Sequence, residues 1–271
     1  MNHQLKGKVV IITGASSGIG KACALSFSRA GASVVISGRN ETKLQEVASL
    51  ITQYGNRVLA ITADVAVKDD CKKLIEKTVE TFGRIDILVC NAGITMRALF
   101  ADTDLEVIQK VIDTNFWGAV YCTKFALPYL LESKGSIVAM SSIAGKKGLP
   151  GRTGYSASKF ALEGFMETLR TENIQKHLHV LVACPGFTAS EIRNNALDAE
   201  GKKQGESPRA ETKMMTAEKV ADKILKAVIK RKRDLVMTSS GKFTVMMNKF
   251  FPAMMDKIVF NHMRKEPGSP F

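Results

Sequence analysis

The chain has 271 residues, 45% of them hydrophobic, and a formal net charge of +13. That length and apolar content suit one large α/β domain with a substantial core. No apolar run reaches the roughly 18 residues of a membrane-crossing helix. The opening Met1-Asn2-His3-Gln4-Leu5-Lys6 leads straight into a strand, without the apolar stretch of an export signal.

Cys23, Cys71, Cys90, Cys122 and Cys184 are odd in number, widely spaced and embedded in apolar segments. They read as small core residues of a reducing, cytoplasmic setting, not as a disulfide or metal set. His3, His177, His179 and His262 share no ligand spacing with them, so no metal site is expected. The positive charge is concentrated late: from Gly201 to Phe271 there are 16 Lys+Arg against 7 Asp+Glu, a net +9. No nucleic-acid motif accompanies it, so a solvated surface is the expectation and nucleic acid is not an expected partner.

Val9-Val10-Ile11-Ile12 reads as a strand buried on both faces. Thr13-Gly14-Ala15-Ser16-Ser17-Gly18-Ile19-Gly20 follows, and then a helical stretch from Lys21 to Ala30. Glycines in such a strand–turn–helix let the backbone turn tightly and approach a pyrophosphate at the helix N-terminus. Ala32 to Ser37 is the second strand. A cofactor with a free ribose 2′-hydroxyl usually meets an acid near its end. Here no Asp or Glu occurs between Gly20 and Glu41, and the strand runs into Gly38-Arg39-Asn40. A guanidinium at that place suits a 2′-phosphate, hence NADP(H) over NAD(H).

The alternation continues with a helix from Glu41 to about Tyr54, a strand from Arg57 to Ile61 leading to Asp64-Val65, and a helix from Lys68 to Phe82. Asp86 to Cys90 is a strand ending in Asn91-Ala92-Gly93. Asp102-Thr103-Asp104 caps a long helix that passes Asn115 towards Leu131. Ser136 to Met140 is a strand ending in Ser141-Ser142. In the next helix Tyr155 and Lys159 stand four apart, on one face, where a cation lowers a phenol's pKa towards neutrality. Strand Val180 to Ala183 runs into Cys184-Pro185-Gly186, and a helix from Thr216 to Lys230 and strand Asp234 to Met237 close the pattern. Alternating strands and helices mean an α/β, doubly wound, parallel seven-stranded sheet of Rossmann type, with ligand at the carboxyl ends of the strands.

Thr13-Gly-x-x-x-Gly-x-Gly20, Asp64, Asn91-Ala-Gly93, Asn115, Ser142, Tyr155-x-x-x-Lys159 and Pro185-Gly186 together resemble the short-chain dehydrogenase/reductase family across residues 5 to 240. Ser142 precedes Tyr155 by 13 residues, the family's usual spacing. Cys90 departs from it, standing where a second Asn is common. The resemblance implies catalysis by Asn115, Ser142, Tyr155 and Lys159. Tyr155 exchanges a proton with the substrate oxygen, Ser142 orients that oxygen, Lys159 lowers the phenol's pKa and bonds the nicotinamide ribose, and Asn115 holds a water leading to solvent. Cofactor contacts are implied for Gly14, Ser16, Ser17, Gly18, Ile19, Gly20, Arg39, Asn40, Asp64, Val65, Asn91, Ala92, Gly93, Tyr155, Lys159, Pro185, Gly186 and Thr188.

The same resemblance puts the substrate among Ile143-Ala144 with Leu149, Ile94 to Arg97, and a lid over about 187–215 that includes Phe187, Glu191, Arg193, Lys202 and Lys203. The first two segments are apolar apart from Arg97, which favours a hydrophobic, steroid- or lipid-like carbonyl. Past residue 240, Met246/Met247, Phe250/Phe251, Met254/Met255 and Ile258/Val259 recur every four residues beside Lys242, Lys249 and Lys257. This extension, 241–271, resembles that of the 11β-hydroxysteroid dehydrogenase-like and microsomal members, and Pro252 should break it into two helices. Packing on protein, in this subunit or across a homodimer or homotetramer, is favoured over a membrane surface. The expected function is an NADP(H)-dependent oxidoreductase interconverting a carbonyl and a secondary alcohol. The alternative is an NADP-binding regulatory protein without turnover.

Overall fold

A computed structural model describes residues 4–186, 188, 192–205 and 214–271. The expected lid residues Phe187 and Glu191 lie outside the described residues. The β-branched run after Lys8 becomes β1 (Val9–Thr13), buried at every position. It is followed by α1 (Gly18–Arg29), β2 (Ser33–Gly38), α2 (Glu41–Thr52), β3 (Val58–Thr62), α3 (Lys68–Phe82) and β4 (Ile87–Cys90). The second half supplies α4 (Leu105–Ile112), α5 (Gly118–Glu132), β5 (Ser136–Met140), α6 (Thr153–Glu172), β6 (His179–Cys184), α7 (Ala217–Ile229) and β7 (Asp234–Val236). The strands form one parallel sheet in the order β3-β2-β1-β4-β5-β6-β7.

Residues alternate between the two faces of the sheet with the strand period of two. Val10 and Ile12 pack with Phe27 of α1, Leu44 of α2 and Ile224 of α7. Val9 and Ile11 pack with Leu74 of α3, Cys122 of α5 and Leu162 of α6. Both faces are thereby covered, as a parallel sheet requires. All five cysteines are buried and free in these layers. The chain order reverses between β1 and β4, which opens a crevice at their carboxyl ends.

The expected long helix past Asn115 is interrupted. Between α4 and α5 the backbone makes a π turn, Asp113–Trp117, with Asn115 buried in it. Its start is also less capped than expected, since Asp104 makes no side-chain capping bond.

The extension forms α8 (Ser239–Phe250) and α9 (Pro252–Met263), with Pro252 in the first turn of the second helix, where its missing N–H costs nothing. The paired apolar stripe divides between two faces. Met255, Val259 and Met263 are buried with Leu149 and Met247, while Met246, Phe250, Met254 and Ile258 point outward. No helix among the described residues is long and apolar enough to cross a membrane.

Candidate active site

A cleft of ≈ 580 Å³ lies along the ends of β1, β2 and β4. Its walls include Gly14, Ser16, Ser17, Gly18 and Ile19 from the glycine turn, Arg39 and Asn40 after β2, Asp64 and Val65 after β3, and Asn91, Ala92 and Gly93 after β4. The turn is compact. Gly14 has φ +64°, and a Cβ there would sit 2.8 Å from the Ala92 Cα. A Cβ on Gly20 would come 2.2 Å from the Gly14 carbonyl oxygen, so Gly20 holds α1 against the turn and does not line the cleft. Glycines that leave room only for backbone, opening onto a helix N-terminus, fit a dinucleotide pyrophosphate.

Several expected contact residues have their polar groups engaged within the protein. Asn91 donates from Nδ2 to the carbonyl oxygens of Thr13, at 2.9 Å, and Gly14, at 3.2 Å. It ties β4 to the glycine turn. Asn40 caps α2, its Oδ1 accepting from the Lys43 N–H at 2.9 Å. Arg39 Nη1 lies 3.8 Å from Asp64 Oδ2 across the cleft. Pro185, Gly186 and Thr188 do not line the cleft, and neither do Asn115, Ser142, Tyr155 and Lys159. A Cβ on Gly186 would press on Thr238, at 2.6 Å, and the buried Thr188 donates its hydroxyl to the Gly186 carbonyl at 3.1 Å. Lys43 and Lys110 also line the cleft. Lys43 stands four residues beyond Arg39, a spacing open to view in the sequence, whereas Lys110 reaches the cleft only because of how α4 packs.

The expected reactive residues gather where β4 and β5 end. Met140 is the last residue of β5, and its carbonyl accepts from the Lys159 Nζ at 2.8 Å. Ser142 caps the short 3₁₀ turn Ile143–Gly145, accepting from the Ala144 N–H at 3.2 Å. Gly93 completes the cluster: a Cβ on it would lie 3.1 Å from Asn115 Oδ1 and 3.6 Å from Lys159 Nζ. Asn115 pairs both ways with the Ile94 backbone, accepting its N–H at 2.8 Å and donating to its carbonyl at 2.9 Å. It also donates to Ser158 Oγ at 2.9 Å. Its carboxamide therefore anchors the loop after β4.

The electrostatics differ from expectation in one respect. Burial pushes the Tyr155 phenol above its ordinary pKa, with a Ser142 hydrogen bond and the Arg152 charge acting the other way. Lys159 lies over the ring, 5.7 Å from its centroid, and burial lowers its own pKa to about 8. In the protein alone, desolvation outweighs the expected help from the cation.

Residues 8–201 match the short chain dehydrogenase family, and the chain belongs to that family. Among curated relatives, 11-beta-hydroxysteroid dehydrogenase 1A of Arabidopsis thaliana is 44% identical over 193 residues, covering 70% of this chain and 55% of that protein. The chain thus spans about half the length of that relative. 11-beta-hydroxysteroid dehydrogenase A of Arachis hypogaea is 35% identical over 100% of this chain and 79% of its own length. Dehydrogenase/reductase SDR family member 7B of Mus musculus is 34% identical over 98% and 84%. A solved short chain dehydrogenase/reductase from Burkholderia phymatum, in complex with NAD, superposes with TM-score 0.83 at 22% identity, covering 93% of this chain and 96% of that one. The fold is the one expected from the motifs, and the hydroxysteroid dehydrogenase-like grouping is the one expected from the extension.

Proposed function

We propose that the protein is an NADP(H)-dependent oxidoreductase that interconverts a hydrophobic ketone and its secondary alcohol. The observation that carries this is the grouping of Lys159 beside Gly93, which lines the cleft, with the Tyr155 ring under its ammonium and Ser142 hydrogen-bonded to the phenol. Bound along the cleft, the nicotinamide supplies or accepts the hydride. The Gly14–Gly20 turn receives the pyrophosphate, and Arg39 with Lys43 receives the 2′-phosphate.

Tyr155 gives its proton to the carbonyl oxygen, or takes it from the alcohol in reverse. Ser142 donates to the same oxygen and steadies its growing charge. Lys159 stabilises the phenolate that results. Both Asn115 Nδ2 hydrogens go to Ile94 and Ser158, while its Oδ1, accepting one N–H, keeps a lone pair for the proton-carrying water.

A hydrophobic substrate is supported by Ile94 and Leu197, which line the cleft and belong to the apolar cluster that packs on Tyr155. Homo-oligomerisation is supported by aromatic surface on the π turn, α5 and α6, where half-exposed Trp117 stacks on Tyr121 with ring centroids 5.6 Å apart and Phe160 is exposed. Five buried free thiols suit a reducing, cytoplasmic setting.

The test is NADPH oxidation with a panel of ketones, aldehydes and quinones, run beside Tyr155→Phe. Turnover that falls by orders of magnitude in the variant, with NADPH binding retained, is the expected result. No turnover by the unmutated protein with any of the panel, despite tight NADPH binding, would favour the regulatory alternative.

A further inference from the structure

The helix that carries Tyr155 and Lys159 brings a carboxylate to the same side. Glu163 stands four residues beyond Lys159 on α6, so the two side chains share a face. Lys159 donates to the carbonyl of Met140, and Glu163 takes up residues that follow. Its Oε1 accepts from the Ser141 hydroxyl at 2.6 Å, and its Oε2 pairs with the Lys146 ammonium. The Cys184 thiol at the end of β6 also points at Oε1, at 3.6 Å. The Glu163 side chain is 11% exposed, so these contacts are largely shielded from water.

Ser141 and Lys146 are the residues directly before and after one tight turn. Ser142 caps that turn, Ile143–Gly145, and the Gly145 N–H closes it on the Ser142 carbonyl at 3.0 Å. Gly145 lies against the carboxylate: a Cβ there would fall 2.6 Å from both Glu163 Oε1 and Ser141 Oγ. One carboxylate therefore holds both ends of the turn that begins with Ser142, and holds them from the helix of Tyr155. Further along, Asn248 and Asp256 of the extension hold the Lys146 carbonyl and the Lys147 ammonium, and Ser156 holds the Leu149 N–H.

We propose that Glu163 is a positioning residue for Ser142. By fixing Ser141 and Lys146 to α6, it sets the Ser142 hydroxyl at the distance from Tyr155 that lets both reach one substrate oxygen. The proposal rests on Ser142 and Tyr155 being the pair that binds and protonates that oxygen. A carboxylate suits the task because its two oxygens accept from a hydroxyl and an ammonium at once. An amide does not, since its nitrogen meets Lys146 donor to donor. Placement matters here, because a displacement of about 1 Å costs up to roughly 10²-fold in rate.

The full chain is assayed for NADPH oxidation with the panel of ketones, aldehydes and quinones. Glu163→Ala should lower kcat by about tenfold or more, with KM and NADPH affinity little changed. Ser141→Ala and Lys146→Met each release one end of the turn and should give smaller losses of the same kind. The discriminating comparison is made in a Ser142→Ala background. If Glu163 acts through the Ser142 hydroxyl, Glu163→Ala should there lower kcat by less than about twofold further. Single turnovers at high enzyme concentration keep such slow rates measurable.

An unchanged kcat in Glu163→Ala overturns the proposal. Equal losses with and without the Ser142 hydroxyl overturn it too, since a merely structural role costs the same in both backgrounds. Should Glu163→Ala not fold, Ser141→Ala and Lys146→Met carry the same comparison with the same two outcomes. Failure of the unmutated protein to turn over any of the panel removes the oxidoreductase reading, and the positioning role with it. Turnover by the unmutated protein with equal losses removes the positioning role alone.

Discussion

Lys159 donates to the Met140 carbonyl at 2.8 Å while its Nζ sits 5.7 Å from the centre of the Tyr155 ring. The ammonium thus uses one N–H on the end of β5, directly before Ser141-Ser142, and keeps its other donors available. It couples the strand that carries Ser142 to the helix that carries Tyr155. Its burial has a thermodynamic consequence as well.

Burial lowers the Lys159 pKa from 10.5 to about 8, so the folded chain holds this proton less tightly than the unfolded chain. Folding therefore bears a penalty that is complete below about pH 8 and fades as pH rises towards 10.5. Tyr155 acts at the other end of the range: burial raises its pKa, so it penalises the folded state only once pH climbs past the ordinary phenol value of 10.0 and the unfolded phenol ionises. Replacing Lys159 by Met removes the penalty of ~3 kcal/mol at neutral pH and loses a hydrogen bond of ~1 kcal/mol. Without cofactor, Lys159→Met should be more stable than the unmutated protein by ~2 kcal/mol at pH 7. Urea unfolding at pH 7 and pH 10 measures this. A difference that does not shrink at the higher pH removes burial as its cause.

Gly20 presents two opposed effects. An alanine inside a helix normally gains about 1 kcal/mol over glycine. Here the new Cβ would lie 2.2 Å from the Gly14 carbonyl oxygen and 2.5 Å from Asn91 Nδ2. Neither backbone nor the Asn91 anchor can yield without opening the turn, so the overlap should win. Gly20→Ala is expected to be destabilised by ~1–3 kcal/mol and to bind dinucleotide more weakly. Denaturant midpoints and cofactor titration measure both, and a more stable variant would mean that the turn has room to relax.

Arg39 and Asp64 form a loose pair at 3.8 Å with side chains 61% and 35% exposed, so the pair itself contributes little. A 2′-phosphate offers the guanidinium a better partner, and Lys43 stands beside it in the cleft wall. NADPH should bind more tightly than NADH, and Arg39→Ala should remove most of that difference, on the order of 1–3 kcal/mol for a lost charged hydrogen bond. Calorimetric titration of both nucleotides decides. Equal affinities in the unmutated protein would sink the assignment.

The sheet was legible because a doubly covered parallel strand is β-branched at nearly every position, as Val9 to Ile12 are, and glycines or capping residues mark each end. The grouping of Asn115, Ser142, Tyr155 and Lys159 was legible through the resemblance of their order and spacing to the family's motifs. The sequence could not show where polar groups would be spent. Asn40 is taken by the N-terminus of α2 only three residues on, whereas Asn115 is taken by Ile94 and Ser158, 21 and 43 residues away in sequence, which no local pattern shows. The direction of the Tyr155 shift was hidden too, because desolvation depends on packing from distant segments. Glu266 stands 114 residues beyond Arg152, and no local pattern joins them.

The extension is bound to the domain by more than its apolar face. Lys147 pairs with Asp256, Asn248 donates to the Lys146 carbonyl at 3.1 Å, and Glu266 holds Arg97 and Arg152. All these anchors lie on the two segments expected to wall the substrate, those after Ser142 and after Gly93. Truncation after Ser240 should therefore uncover Leu149, loosen those walls and raise KM for the carbonyl substrate, while the glycine turn and NADPH affinity persist. Hydrogen exchange of residues 143–152 and paired KM and NADPH measurements check this; unchanged exchange and KM would show that the domain builds its walls alone. The outward face, with Met246, Phe250, Met254 and Ile258 beside Lys249 and Lys257, is the part the domain leaves open. Because the inner face and its ion pairs are already satisfied by protein, the intact chain should bind anionic vesicles weakly. Strong, salt-sensitive vesicle binding that truncation abolishes would assign the outer face to a membrane surface instead.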